Sequence, residues 1–544
     1  MATITWALEA DFDRDTTYEA DLTGYIEHPG AGVRISRGVG RDGRPQASKF
    51  TVVLSNRDGA FTPQNGESPF FGLLVPGVPV RLTATHNAVA RTIWTGYAMQ
   101  WRCSWQQGAW PVCSVSCEDI FWFLQNRDPV NVTASTSRDT DEALVAIMDA
   151  LGLTADDRDF DDGIQVLPMH FAVGQEPAEA MMAVVASELG GLLYPDALGR
   201  IRFEARNSRL GTAIDDTWGD GTAILPVAVE YDLNPMEVYT HVTARSTRFR
   251  TGQDETKIFE VSENMFTKPA ATSRALAAGE VYERTFQANS AFYGAIVTPE
   301  AVYDYTANDA QNGTGTDRTG LLEVTVTDLG SGRFRLRWRN THSATIYVTK
   351  FQLRGTPVEF FADRAEAVFS KGVPGLKAGK SLQFDVPFAG DTGQKLRDYA
   401  YQELRVGRYA WPVVRLAFKA AFDDEIAALL DADLGHLIRF GDLDAELHES
   451  ARVDDWWYIE ALDYQVPPDW GGEVFDVKVT LVPSYVYRNL DAIVFDTFDR
   501  ADASGDLGTA FSGDVWADDT GFDISGGYAV PNSTGLQVPN LVVA

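Results

Sequence analysis

The chain has 544 residues, of which 45% are hydrophobic and 23% are charged. This composition excludes a disordered chain, and the length exceeds one hydrophobic core, so roughly three to five domains are expected. The net charge of −31, from 77 acidic and 46 basic residues, argues against a protein that wraps nucleic acid, because phosphate binding needs a basic surface.

The sequence predicts neither a membrane span nor a secretory signal. No run approaches the ~18 consecutive apolar residues of a spanning helix, so no stable membrane insertion is expected. Residues 1–10 lack a basic segment followed by an apolar core. The three cysteines, Cys103, Cys113 and Cys117, cannot all pair within one chain and fall on predicted strands. Reduced thiols in a protein synthesised in a cytoplasm are therefore predicted, and no metal ligands, because no CxxC motif occurs.

Residues 1–125 are predicted to form a β-domain, either a sandwich or a barrel. Short stretches of β-branched and aromatic residues alternate with Gly, Pro, Asp and Asn throughout this segment. The predicted strands are Ile4–Trp6, Tyr25–Ile26, Val33–Ile35, Phe50–Leu54, Val78–Thr83, Ile93–Met99 and Val112–Val115.

The stretch Phe50–Gly72 stands out within this domain. It opens as a strand and breaks at Ser55–Gly59, where Asn and Asp bond their own backbone and Gly59 supplies a positive φ. An aromatic-rich excursion follows, and Phe70 and Phe71 are expected to anchor it. Its local interpretation is a turn between strands.

Residues 126–222 are predicted to form a small α+β domain with two helices and a hairpin. Asp139 and Glu142 have capping-box spacing before a helix that Gly152 ends, and Pro177 lies at the start of a second helix. Between the helices, Asp157, Asp159 and Asp161 alternate like calcium ligands. However, Asp162 replaces the required Gly and Pro168 the required Glu, so a solvated acidic loop is predicted.

Strands predominate again from residue 223. A second β-domain is predicted from residues 223–285 and 373–490, interrupted by an inserted β-sandwich at 286–372. In the insert, Phe334, Leu336 and Trp338 alternate with four arginines (333, 335, 337 and 339), opposite a strand that starts at Leu322. The arginines favour either an acidic partner or, more economically, cross-strand pairing with Glu323 and its neighbours.

Residues 491–544 resemble the start of a concanavalin-like sandwich module. Phe495–Ala501 opens it, and Trp516 and Ile524 follow. About 50 residues are too few for such a sandwich, which needs roughly 100. Completion by another chain, truncation and a superficial likeness all remain open.

No catalytic, cofactor-binding or metal-binding residues are predicted. The seven histidines (28, 86, 170, 241, 342, 436 and 448) are scattered without an HExxH motif, and no GxSxG elbow occurs. Acid pairs are abundant, but sequence does not show which lie close enough for glycoside hydrolysis. The protein is therefore expected not to be an enzyme.

A series of short motifs runs in order through the opening hundred residues: Tyr18, Asp21–Thr23, Ile35–Gly38, Phe50–Gly59 with Phe61–Pro63 and Ser68–Pro69, Gly77–Arg81 and Trp94–Tyr97. This series resembles the opening of the tail-tip hub proteins of long-tailed bacteriophages, also called minor tail or tail-associated proteins. It continues patchily: Tyr347–Thr349 with Leu353–Thr356 is similar to a piece of the family's inserted sandwich, and Asp433–Gly435 through Trp457–Ile459 to its second barrel.

The resemblance implies two tail-tube-like β-barrels, with three copies giving six barrels around a channel. It implies a structural component of the virion at the tail tip or baseplate, with a homotrimer as the working form. Expected partners are the distal tail protein, the tape measure protein and fibres. DNA would pass without specific binding through a channel lined by acids.

Two alternatives remain at this stage. One is a tail adhesin for host-surface glycans, built from residues 286–372 and the C-terminal segment, with Trp338 and Trp516 stacking on sugars. The other is a polysaccharide-degrading tail enzyme of all-β type.

Overall fold

The computed structural model describes most of the chain up to Ser484 and short strands beyond it. The chain divides into two compact units, Met1–Pro483 and Ser484–Ala544. The described residues are 4–26, 32–39, 45–105, 110–210, 213–219, 222, 224–233, 238–252, 255–260, 273–288, 292–293, 296–329, 333–370, 380–388, 393–407, 412–441, 455–466, 475–484, 503–504, 515–517, 522–525, 528–531 and 540–542.

The N-terminal segment is built from strands, as predicted, with one exception. Tyr25 closes a 3₁₀ turn and Ile26 makes only an isolated bridge to Leu54, so the strand predicted there is wrong. Leu8 N donates to Thr23 Oγ1 at 2.9 Å, which ties this turn to the edge of the sheet. The strands are β1 (Thr5–Ala10), β2 (Ala20–Asp21), β3 (Val33–Val39), β4 (Pro45–Ser55), β5 (Val78–His86), β6 (Val89–Ser104) and β7 (Val112–Glu118).

The next segment mixes short helices and strands, and its predicted helix signals are confirmed. Asp139 N donates to Glu142 Oε2 at 3.4 Å in a capping box, and Gly152 takes a φ of +76° just after that helix. The second helix starts at Pro177. The elements are α1 (Ile120–Gln125), β8 (Val130–Asp139), α2 (Thr140–Ala150), β9 (Arg158–Phe160), β10 (Val166–Gln175), α3 (Pro177–Val185), β11 (Leu192–Pro195), β12 (Ile201–Glu204) and β13 (Asp216–Gly219).

The third segment consists of strands of very unequal length. The longest has 25 residues and pairs with several shorter strands along its course. The strands are β14 (Ala228–Leu233), β15 (Tyr239–Thr251), β16 (Thr256–Glu260), β17 (Arg274–Leu276), β18 (Val281–Gln287), β19 (Phe292–Tyr293), β20 (Tyr305–Asn308), β21 (Leu322–Asp328), β22 (Arg333–Asn340), β23 (Ile346–Ser370) and β24 (Lys380–Asp385).

Two helices and four strands complete the first unit. They are α4 (Gly393–Gly407), β25 (Pro412–Ala420), α5 (Asp423–Asp431), β26 (Leu437–Gly441), β27 (Asp455–Val466) and β28 (Phe475–Pro483). The second unit contains β29 (Ala503–Ser504), β30 (Val515–Ala517), β31 (Phe522–Ser525), β32 (Tyr528–Pro531) and β33 (Asn540–Val542). The predicted mainly β fold is confirmed. Among the described residues, no helix is long and apolar enough to cross a membrane.

One sheet joins the N-terminal strands to the last strands of the first unit. Its order is β14-β25-β28-β27-β3-β4-β7-β6-β5-β1-β2, and the join is the antiparallel pair β3 and β27, with Ile35 opposite Tyr464. Trp6 of β1 meets Phe475 of β28 edge to face, with ring centroids 5.6 Å apart. Since these strands are far apart in the pairing order, the sheet must curl. Its pairing order ends at β14 and β2 within the described residues, so closure into barrels stays a prediction.

The apolar face of this sheet is filled by large side chains. Phe50 and Trp94 stack with ring centroids 4.9 Å apart, and both are buried. Trp94 Nε1 donates to Ser48 Oγ at 2.6 Å, and Ser48 N donates to a carboxylate oxygen of Asp119. Asp119 also caps α1 by accepting from Phe121 N at 2.9 Å. A buried polar chain thus fixes α1 beneath the sheet.

A second apolar core surrounds Phe334, Leu336 and Trp338. The predicted hairpin is present: β21 pairs with β22, with Val324 opposite Trp338, while the predicted turn at 330–332 lies outside the described residues. The core also takes in Ile258 and Leu276, which precede residue 286.

The exposed arginines of β22 lie near acids on both neighbouring strands. Arg339 Nη1 lies 3.4 Å from Glu323 Oε2, and Arg335 and Arg337 lie 3.7 and 3.8 Å from the carboxylate of Glu283. The predicted cross-strand pairing is confirmed. Because all these side chains are about half exposed, each pair contributes little to stability.

The Asn340 side chain bonds to backbone groups around the core of Trp338. Its substitution is expected to destabilise that region. Its Nδ2 donates to the carbonyls of Leu276, Ala277 and Ala344 at 2.9–3.0 Å, and its Oδ1 accepts from His342 N. Asn340→Ala removes the donor to the buried carbonyl of Leu276, which costs about 1–3 kcal/mol. Urea unfolding followed by intrinsic tryptophan fluorescence should show a lower midpoint.

The matched control is Asn312→Ala. Asn312 also accepts from a backbone N–H two residues on, that of Thr314, but is exposed. It should change the unfolding free energy by less than about 0.5 kcal/mol. Equal midpoints for the two variants would contradict the role of Asn340.

Asp119 is expected to make stability pH-dependent. Burial raises its pKa to about 6, against the opposing effect of the bonds from Ser48 and Phe121. Between about pH 4 and 6 the folded state holds a proton that the unfolded state has released, so stability falls as pH rises through this window. The total loss is on the order of 2–3 kcal/mol and is complete above pH 6.

Comparing wild type with Asp119→Asn across pH 4–8 checks this, since Asn keeps the cap acceptor without the charge. The difference in unfolding free energy should change between pH 4 and 6 and stay constant above. Asp58→Asn is the control, because exposed Asp58 makes the same kind of bond, to Ala60 N. A flat difference for Asp119→Asn would refute the buried-carboxyl explanation.

Candidate functional site

The loop after β4 is held by its own polar side chains. Asn56 Oδ1 accepts from Phe61 N at 2.9 Å, and its Nδ2 donates to Thr62 Oγ1 at 3.0 Å. Gly59 adopts a φ of +72°, and Asn65 Nδ2 donates to its carbonyl at 3.0 Å. The turn predicted at Ser55–Gly59 is confirmed, with Gly59 in the conformation expected of it.

An aromatic cluster anchors this loop to the sheet. Phe61 is fully buried and stacks on Phe70 and Trp101, with ring centroids 5.3 and 6.1 Å apart, while Tyr25 meets it edge to face. The predicted anchoring role of Phe70 is confirmed. That of Phe71 is wrong, because its side chain is 55% exposed.

An exposed apolar patch therefore lies at this end of the sheet. Trp101 Nε1 donates to Val75 O at 3.4 Å, which brings the loop to β6, and the guanidinium of Arg57 stacks on Trp110 at 4.2 Å. Trp110 and Trp105 are 63% and 69% exposed. We call this surface the tryptophan patch; its members are Phe71, Leu73, Val75, Trp105 and Trp110.

Sequence reasoning missed the tryptophan patch, although a signal was present. Trp105 and Trp110 flank the sequence Gln-Gln-Gly-Ala, which is typical of a hairpin end. Tryptophans at a hairpin end lie beyond the sheet and have no core to enter.

The face of the joined sheet opposite its apolar core is polar and balanced in charge. Cross-strand neighbours alternate in sign: Lys478 is opposite Asp463, and Lys419 is opposite Asp476. The series continues on other strands, with Lys49 opposite Glu118 and Arg415 opposite Glu230. Ser36, Thr51 and Ser116 lie between the charged pairs. We call this surface the open face, and the acids behind the charge of −31 are not concentrated on it.

Strand β14 is an edge of the joined sheet and carries apolar side chains to solvent. Its one strand partner among the described residues is β25. Val229 and Tyr231 are 39% and 54% exposed, and Val227 just before the strand is 69% exposed. Unprotected apolar edges of this kind favour pairing with another chain.

Two buried arginines form ion pairs around the join of β3 and β27. Arg37 of β3 is nearly inaccessible and binds Asp433, with Nη2 and Oδ1 2.7 Å apart. Arg209 lies between Glu204 and Glu460, at 2.7 and 3.7 Å. Losing one partner of such a pair leaves an uncompensated buried charge, so these residues fix the register of the join.

The acidic loop at 156–163 is bound to arginines. Asp159 pairs with both Arg200 and Arg202, at 2.9 and 3.0 Å, and Asp161 pairs with Arg202 at 2.6 Å. The carboxylates of Asp159 and Asp161 therefore connect this loop to β12 and its turn. For these two acids the predicted solvated loop is wrong, because both are held in ion pairs.

One group of carboxylates among the described residues has a spacing compatible with a cation. The oxygens of Asp11, Asp13, Asp15 and Glu19 lie within 4.8 Å of one another. Asp11 already accepts from the backbone N–H groups of the same loop, at 2.6 and 2.9 Å. The other three are exposed, and we assign no ligand to the group.

The histidines inside the described residues lie in separate environments. His86 Nε2 is 3.6 Å from Asp423, His170 is buried against Phe388, and His342 accepts from a backbone N–H. His241 contacts Ser370, and His436 accepts from Asp433 N. Trp338, a candidate sugar platform, is 2% exposed, so a stacking role for it is wrong, whereas the side chain of Trp516 lies outside the described residues.

No family model matches the sequence, and no curated protein matches it. Tail proteins are among the solved structures that the chain resembles. The 43 kDa tail protein of prophage MuSo2 from Shewanella oneidensis is 10% identical, with a TM-score of 0.45 over 89% of this chain and 99% of that one. A tail protein from Neisseria meningitidis is 8% identical, with a TM-score of 0.46 over 89% and 98%. These likenesses concern the course of the backbone and assign no activity to any residue.

Gly59, in the loop after β4, is expected to be sensitive to substitution. A Cβ there would lie 3.1 Å from Asn65 Nδ2, and its left-handed φ disfavours side chains. Gly59→Val should cost about 1–2 kcal/mol or more, measured by chemical denaturation. Gly66→Val is the control in the same loop, since a Cβ at Gly66 meets nothing within 4 Å. Equal losses in the two variants would contradict the conformational argument.

Proposed function

We propose that this chain is a structural component of a bacteriophage tail tip, a hub that assembles as a ring of three copies. The observation that carries the proposal is the joined sheet, in which strands of residues 1–125 and of the later segment form one surface across β3 and β27. Two β-segments joined in this way give each copy two similar tube-like parts, so that three copies supply six. The sequence resemblance in the first hundred residues supports the same assignment.

The open face is the surface that we propose lines the channel. Its acid–base cross-strand pairs, such as Lys478 with Asp463, leave little net charge there. Phosphates would therefore meet little net attraction, and DNA would pass without binding. This proposal replaces the expected acid-lined channel with a charge-balanced one. The net charge of −31 then lies mainly on other surfaces, where it favours solubility.

We further propose that self-association uses the edge strand β14. An edge with Val227, Val229 and Tyr231 in water is costly unless another chain covers it, and strand addition supplies backbone bonds as well as apolar contact. A head-to-tail contact repeated around an axis closes into a ring when the rotation fits. Other tail proteins, including a distal tail protein, a tape measure protein and fibres, are the proposed neighbours in the virion.

We propose no catalytic role; the contacts described above for His342, Asp159 and Asp161 are structural ones. A glycan-binding role lacks its main residue, since Trp338 belongs to the core of the insert. The division into a first β-domain, an α+β domain, a second β-domain, an insert and a C-terminal module is kept as part of the proposal.

The oligomeric state tests the proposal. Light scattering coupled to size exclusion on the full chain should give three times the mass of 59.8 kDa. Val229→Lys should yield single copies, because a buried unpaired ammonium opposes strand addition. Val89→Lys, at the exposed valine that begins β6, should leave the assembly intact.

Two results would count against these assignments separately. A wild-type protein that remains a single copy at tens of micromolar concentration refutes the ring. A ring that persists in Val229→Lys refutes the role of β14 and leaves the ring in place.

A further inference from the structure

Two of the three cysteines face each other across the β6–β7 hairpin. Cys103 is directly opposite Cys113 in the antiparallel register, with Arg102 opposite Ser114 and Ser104 opposite Val112 on either side. Directly opposed residues in such a ladder have Cα atoms about 4.5–5.5 Å apart. This separation falls inside the range of about 4.4–6.8 Å that disulfides span.

The two thiols also lie on the same side of the hairpin. Cys113 is fully buried on the inner face of β7, and Cys103 is half-buried with its Sγ donating to the carbonyl of Phe61 at 2.8 Å. Burial, and then the neighbouring thiol of Cys103, raises the pKa of Cys113. The sulfur atoms are therefore close enough to interact while both are reduced.

The third cysteine has a different environment. Cys117 is buried farther along β7, and the residues opposite it on the neighbouring strands are Ala98 and Phe50. Neither carries a thiol. The cross-strand pairing thus selects Cys103 and Cys113 from the three.

The position of the pair relates it to the tryptophan patch. Nine residues separate the two cysteines, from Ser104 to Val112, and this segment carries both Trp105 and Trp110. A bond between the cysteines would close that segment into a loop at its base. It would fix the ends of the segment and leave the tryptophans outside the sheet.

We propose that Cys103 and Cys113 are a modification site, at which oxidation forms a cross-strand disulfide that holds the hairpin end carrying Trp105 and Trp110. The thiols stay reduced in the cytoplasm where the chain is made and oxidise after release, because glutathione and thioredoxin maintain thiols only inside the cell. That setting rests on the proposed place in a virion. The bond itself does not, and purified protein is enough to test it.

The reaction balances with a small-molecule disulfide as oxidant. The half-buried thiol of Cys103, as its thiolate, attacks one sulfur of oxidised glutathione and releases one reduced glutathione. Cys113 loses its proton and attacks the Cys103 sulfur of the mixed disulfide, which releases the second glutathione. Two cysteine thiols are oxidised, and one glutathione disulfide is reduced to two thiols. Burial of Cys113 keeps its thiolate scarce, so the second step is slow at neutral pH.

The test counts thiols in the purified full chain before and after exposure to oxidised glutathione. The protein is oxidised while folded, then unfolded in excess N-ethylmaleimide and weighed intact. The three cysteines should all be labelled before oxidation, and only Cys117 should be labelled afterwards. Trypsin releases all three cysteines in one peptide, since no Lys or Arg lies between Arg102 and Arg127. Variants in which one cysteine at a time is replaced by serine therefore identify the partners.

Cys117→Ser should lose all labelling on oxidation, whereas Cys103→Ser and Cys113→Ser should each keep two labelled thiols. Oxidised wild type should melt a few degrees above its reduced form, and dithiothreitol should reverse the shift; Cys103→Ser should show no shift. Three labelled thiols in oxidised wild type would overturn the proposal. The proposal would also be overturned if oxidised Cys117→Ser still had two thiols that N-ethylmaleimide labels while its circular dichroism spectrum matched that of wild type.

Discussion

The pairing of β3 with β27 is the constraint on which the first unit depends. It brings together residues more than 400 positions apart, with Ile35 opposite Tyr464, and converts two groups of strands into one sheet. A shift of one residue would move every inward side chain to the open face. The buried ion pairs of Arg37 and Arg209 beside the join make such a shift costly, because each would lose its counter-ion in a dry environment.

The same pairing makes distant parts of the chain depend on one another. The N-terminal strands and β27 share one register, and Arg209 of the α+β segment is held by Glu460 of β27. The inserted region differs: its aromatic core is compact, and the side chain of Asn340 draws several backbone carbonyls together.

Local features of the fold were readable in the sequence, whereas its long-range features were not. The capping box at Asp139, the turn at Gly59 and the alternation along β22 have short-range causes, and all are found as expected. The join at Ile35 and Tyr464 depends on pairing between distant strands. Alternation of apolar and polar residues predicts a strand but does not identify its partner. Among the surfaces, Trp338 illustrates the limit, because an alternating tryptophan in a strand reads the same whether its neighbours cover it or not. The exposure of Trp105 and Trp110 could have been predicted only from their position at the end of a hairpin, where no core lies beyond the sheet.

The length of β23 has a consequence for how the insert is mounted. At about 3.3 Å per residue, its 25 residues extend for roughly 80 Å, and they belong first to the core of the insert and then to the pair with β15. The core around Trp338 and the pair with β15 are thus connected by one continuous strand, without an intervening loop. A deletion of residues 286–372 would therefore also remove the part of β23 with which β15 is paired.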